Sequence, residues 1–146
     1  MKKYLVFVGV LLSCWISLLA ACKGGTCPTE PWEDVAWELE SYGLPDTLKA
    51  PVAGAQVTLQ FIKTSKSIGG TAGCNAYFGS YEVVNCRLRI SESISTTKKA
   101  CEGLVMQQEQ DYLALLKIAT DFSVNNSQLR IACGKQVLVF HPLPNP

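Results

Sequence analysis

Histidine is almost missing from this 146-residue chain, which carries one, His141. A lone imidazole beside Pro142 supplies neither the base of a Ser-His-Asp or Cys-His nucleophile nor a ligand set for zinc. No Cys-x-x-Cys occurs, so the redox and metal motifs built on that spacing are absent too. Charged residues make up only 17% of the chain, with no long run of one sign. That removes the electrostatic footprint of a nucleic-acid partner. Repeats and low-complexity tracts are lacking. At 146 residues there is room for one domain and a tether, not two.

What is present begins with an apolar run. Lys2 and Lys3 precede 19 residues, Tyr4 to Cys22, without a charge. The run is long enough to cross a bilayer and longer than a usual secretory apolar region. A retained helix and a cleaved signal therefore compete. The ending favours cleavage: Leu19-Ala20-Ala21-Cys22 is an apolar residue, two small ones and a cysteine. Small side chains let a peptidase seat the backbone. The quartet looks like a lipobox, which implies a lipoprotein signal peptide over 1–21 and lipid, including palmitate-type acyl chains, on Cys22. Two or more chains anchor stably where one binds only marginally. The expected location is the cell envelope, lipid-anchored on the extracytoplasmic side of a membrane. Removing Lys2 and Lys3 takes Lys plus Arg from 13 to 11 against 12 Asp plus Glu, so the mature net charge is −1.

Residues 22–33 read as the lipidated cysteine and a flexible tether. The Gly, Thr and Pro of Lys23 to Pro31 cannot bury apolar surface, and about ten such residues span roughly 17 Å. The domain then occupies 34–146. Alternation marks strands at Ala36 to Glu40, Val57 to Phe61, Gly79 to Val84, Leu88 to Ile90, Phe122 to Val124, Leu129 to Ala132 and Val137 to Phe140, with a weaker one at Ile68 to Ala72. Gly69 and Gly70 there suggest a bulge or a close backbone approach. Gly43 to Gly54 and Ser93 to Cys101 read as irregular. One helix is expected from about Glu102 to Ala119, with Val105, Tyr112, Leu116 and Ala119 at helical spacing and Gln108 off the stripe. The sum is α+β: a curved antiparallel sheet of about seven short strands packed on one amphipathic helix.

Glu109 interrupts the apolar stripe. A buried carboxylate must be paired or neutralised. It is expected to be structural, bonded to the loop before the helix through backbone amides or Lys98; the rival reading is a catalytic acid. Gly69 to Gly73 lacks the Gly-Lys-Ser/Thr ending of a phosphate loop and does not open a helix. In an extended stretch Tyr77, Gly79 and Tyr81 share one face and Phe78 the other.

These pieces resemble the META domain family, the HslJ-like heat-shock proteins of bacterial envelopes. The resemblance runs from Trp37 to Phe140, through Trp37-Glu38-Leu39, Gly73-Cys74-Asn75, Tyr77 to Tyr81, Ser95 to Cys101 and the helix residues Glu109, Tyr112 and Leu116. Departures are Lys99, where the family often has an apolar residue, and the extra cysteines Cys27, Cys86 and Cys133. The resemblance implies one compact α+β domain associated with envelope stress, with Asn75 and Glu109 as structural motif residues and no known reaction or cofactor.

Five cysteines remain beyond Cys22: Cys27, Cys74, Cys86, Cys101 and Cys133. Outside the cytosol they suggest at most two disulfides. Cys74 and Cys101, both within motifs of the resemblance, are the best pair, worth about 3.5 kcal/mol by loop closure. Cys86 and Cys133, in or beside strands, are a second candidate pair, leaving Cys27 over. The expected function is a non-enzymatic binding or stress-protection module with other envelope proteins as partners. The alternatives are an assembly factor escorting a membrane protein, and a hydrolase using Glu109.

Overall fold

Alternating apolar residues carry most of the chain into strands. The computed structural model describes residues 27–125 and 127–144, so the signal segment, Cys22 and the first part of the tether lie outside the described residues. The strands are β1 (Ala36–Leu44), β2 (Thr47–Lys49), β3 (Thr58–Ile62), β4 (Ser67–Thr71), β5 (Ala76–Val84), β6 (Arg87–Ile90), β7 (Ser95–Thr96), β8 (Ala119–Asn125), β9 (Gln128–Cys133) and β10 (Gln136–Pro142). One helix, α1 (Gly103–Lys117), lies between β7 and β8.

The sheet is not an open curve of about seven strands. Eight strands close in the order β1-β3-β4-β5-β6-β8-β9-β10 and back to β1, all antiparallel, with β2 and β7 attached outside the ring. Closure comes from the first and last strands, which pair from Trp37↔Pro142 to Gly43↔Val137. Closure gives each of the eight strands a partner on both sides. The joint between β6 and β8 is the slightest, a single register pair, Arg87↔Asp121. The extra strands β2 and β7 fall in stretches expected to be irregular; their residues are all exposed and carry no alternation of burial.

The barrel interior is the core. Leu59, Phe61, Ile68, Tyr77, Leu88, Leu116, Leu129, Ile131, Leu138 and Phe140 are fully buried. Tyr77 and Tyr81 point inward while Phe78 is 63% exposed, as the alternation of β5 requires. Gly70 is a close approach rather than a bulge: a Cβ there would lie 2.1 Å from the Thr58 carbonyl oxygen.

Each end of the barrel has its own cover. Helix α1 sits over the end where the β4–β5 turn and the loop after β2 emerge, and buries Gln108, Glu109, Tyr112, Leu115 and Leu116. Gln108 belongs to the buried face, contrary to the stripe reading, because that face meets loop backbone as well as apolar core. Its amide receives the Val52 N–H and donates to the Ala55 carbonyl. The other end is closed by the segment before β1. Trp32 packs edge-on against Phe61, Tyr81 and Phe122, with ring centroids 5.0, 5.8 and 4.6 Å away. Trp32 on the core and a disulfide from Cys27 to Cys86 thus fasten residues 27–33 to the barrel, which makes them no free tether. Local Gly and Pro content hid this, because the partners of Trp32 are distant in sequence.

Candidate functional site

The motif residues converge where α1 meets the β4–β5 turn. Gly73 takes φ +105° there, a value suited to glycine, and the Ala72 N–H bonds to the Asn75 carbonyl at 2.8 Å. This presents Asn75, 2% exposed, to Glu109, 6% exposed. The Asn75 backbone N–H donates to Glu109 Oε2 at 2.7 Å, and its Nδ2 donates to Oε1 at 2.9 Å. On its other side Asn75 Oδ1 accepts from Thr97 Oγ1 at 2.8 Å and from the Lys99 N–H at 2.7 Å. Nδ2 also reaches the Lys99 carbonyl at 3.3 Å. The side chain's donors and acceptor are all engaged.

Glu109 is thus held by Asn75, not by Lys98 or by the amides of the loop before the helix. The loop's amide at Lys99 goes to Asn75 instead, so Asn75 is the middle link. Lys99 contributes backbone only and its side chain is exposed, which explains why a non-apolar residue fits there. Both Glu109 oxygens are engaged, and among the described residues no group of three or more His, Cys, Asp or Glu gathers as a metal site would require. The arrangement suits a latch between helix, turn and loop.

A disulfide joins Cys74 to Cys101 beside the latch, with Cα atoms 6.1 Å apart. The second bridge differs from expectation: Cys86 is bonded to Cys27, Cα atoms 4.7 Å apart, and Cys133 is a buried free thiol. The reason is topological. Cys86 sits in the β5–β6 turn at the Trp32 end, while Cys133 pairs with Ala119 at the helix end. Strand alternation shows which face a residue takes, not which end of the barrel it reaches. Burial pushes the Cys133 thiol up to about 12. Non-reducing peptide mapping should return Cys27–Cys86 and Cys74–Cys101. Iodoacetamide at mildly alkaline pH should spare Cys133 until the protein unfolds; labelling of the native protein at a free-thiol rate would contradict the burial.

Two further groups of polar contacts are built into the barrel. The Tyr77 hydroxyl donates to the Thr58 carbonyl at 2.9 Å, so the Tyr112 hydroxyl, 2.8 Å away, donates to Tyr77. Burial raises both phenols well above their usual value, so they stay neutral. At the Trp32 end Glu33 meets Lys66 Nζ at 2.7 Å and accepts from the Tyr81 hydroxyl. Burial alone would raise this carboxyl; Lys66 and Tyr81 outweigh it and hold it below its ordinary value.

Among the shallow grooves of the described surface, two are flanked by exposed large apolar side chains, Phe78 and Ile118. One, about 240 Å³, runs beside Phe78 over Gly69 and Gly70 and is flanked by Ile62 and Leu143. The other, about 310 Å³, lies between α1 and the β1–β2 hairpin, lined by Tyr42, Lys49, Asp111, Leu115 and Ile118.

The model of the META domain family matches residues 30–144. The chain belongs to the META domain family. Its META domain is similar to the NMR structure of a protein from Burkholderia xenovorans, with 25% identity and a TM-score of 0.67, covering 83% of this chain and 93% of that one. It also shares its fold with the crystal structure of a DUF4847 family protein from Bacteroides vulgatus, at 12% identity and a TM-score of 0.56, covering 79% of this chain and 96% of that one. Among curated proteins no match is found. The match beginning at residue 30 takes in Trp32, which an opening at Trp37 leaves out. Within the META domain the contributions of Trp32, Thr97 and Gln108 escaped sequence reasoning. Of these, Thr97 alone lies in a motif of the resemblance, Ser95 to Cys101.

Proposed function

We propose that this META domain is a lipid-anchored, non-enzymatic envelope module that binds or protects other envelope components under stress. The Leu19-Ala20-Ala21-Cys22 quartet carries the reading, since it supplies a membrane address to a domain in which Glu109, the one buried carboxylate among the described residues, is already committed to Asn75. That commitment also weighs against a hydrolase using Glu109. In a fractionation experiment, wild-type protein should sediment with membranes and Cys22→Ala should become soluble. A deletion strain should lose envelope integrity under heat and detergent; an intact envelope in that strain would reject the protective role.

An assembly role is the second reading, favoured by the groove between α1 and the β1–β2 hairpin. Leu44 and Leu48 stay exposed on that hairpin, and Ile118 on the rim is 52% exposed.

A further inference from the structure

The Cys27–Cys86 bridge has a consequence for geometry at the membrane. Cys27 is five residues after Cys22, the expected lipid site. A fully extended chain of that length reaches about 18 Å at most. Without the bridge the first fixed point is Trp32, ten residues from Cys22, and the reach is about 35 Å. Cys86 lies at the tip of the β5–β6 hairpin, so the bridge ties the lipid-bearing end of the chain to that tip. Strand β5 has nine residues, so the helix-covered end lies about 26 Å further along, beyond the reach of the short link.

The turn supports a dedicated role for this cysteine. Asn85 and Cys86 have φ of 51° and 63°, the left-handed pair of a two-residue hairpin turn in which the second position favours glycine. A cysteine held there is strained relative to glycine and makes its bond with Cys27.

We propose that the Cys27–Cys86 disulfide orients the domain on its membrane, laying the β5–β6 hairpin end against the lipid surface and turning α1 away from it. The inference rests on lipidation at Cys22. The face so presented carries Val83 and Val84, 37% and 43% exposed, and the exposed cation Lys63; Arg87 beside the turn is paired with Asp121 at 3.7 Å. Valines at the tip meet the interface and Lys63 meets phosphate headgroups. The groove beside α1 then opens towards the surrounding compartment, where a partner can reach it.

The test uses the full-length lipidated protein in vesicles of phosphatidylethanolamine and phosphatidylglycerol. A photo-crosslinking phenylalanine analogue stands in place of Val84 in one sample and of Leu104, at the start of α1, in another. Lipid adducts should be several-fold more abundant at position 84. In the double variant Cys27→Ser/Cys86→Gly, whose glycine suits the turn and keeps the hairpin, that excess should disappear. Equal adducts at both positions in the bridged protein would overturn the proposal, as would an excess that survives loss of the bridge. Protein whose intact mass lacks lipid and which fails to float with vesicles would instead reject the anchor, and the orientation with it.

Discussion

Replacing Asn75 by alanine should lower the stability of the domain by about 2 to 4 kcal/mol, since a buried group left without its hydrogen-bond partner costs about 1 to 3 kcal/mol and a carboxylate more. The change removes the side-chain donor to Glu109 Oε1 and both acceptor contacts that hold Thr97 and Lys99. It leaves a carboxylate 6% exposed with only one backbone partner. An orphaned buried charge loses solvation that nothing replaces, which exceeds the modest net worth of an ordinary hydrogen bond. Glu109→Gln should act in the same direction, because an amide must turn an N–H towards one of the two Asn75 donors. The combined Asn75→Ala/Glu109→Ala variant should lose less than the sum of its single changes, since the second substitution removes the orphan. Urea denaturation with Trp fluorescence measures all of these. An unchanged midpoint for Asn75→Ala would mean the latch does not hold the helix.

Gly70→Ala is expected to be as damaging for a different reason. Its Cβ would stand 2.1 Å from the Thr58 oxygen and 2.7 Å from the Thr58 carbonyl carbon, both main chain. Thr58 lies in β3, which is paired to β1 on one side and β4 on the other, so it cannot retreat without disturbing two ladders. Overpacking against yielding side chains costs about 1 to 3 kcal/mol and more where the obstacle is rigid; at least about 3 kcal/mol, or failure to fold, is expected here. The same substitution at Gly103 is the control. Nothing lies within 4 Å of that position, and it is the first residue of α1, so Gly103→Ala should be neutral or stabilising by up to about 1 kcal/mol. Thermal melts of the two variants side by side would decide the matter. Equal stability would remove the steric argument.

Local patterning reaches as far as these examples suggest. Alternation located the main strands and set Tyr77 and Tyr81 on one face with Phe78 on the other, because a strand's period shows in a few neighbouring residues. Glu109 stood out since it interrupts an apolar stripe, yet its partner Asn75 is 34 residues away and no local rule joins them. Closure of the ring rests on Trp37 finding Pro142 and Gly43 finding Val137, contacts that leave no trace in either strand alone. Trp32 and Cys27 sit among residues of turn composition, which describes how the backbone bends but not what a single large side chain inserts into. Gln108 was misplaced because polar residues usually face water, whereas here it serves the buried backbone of Val52 and Ala55. The site was thus legible in its members and illegible in its wiring.

The single rung between Arg87 and Asp121 gives the ring a preferred place to unzip. Helix α1 leads directly into β8 through Ile118, so whatever lifts the helix pulls on one side of that joint. Opening it would create two unpaired strand edges at once, each able to recruit a neighbouring chain. Because it holds α1, loss of the small polar knot at Asn75 and Glu109 is expected to favour self-association as well as melting.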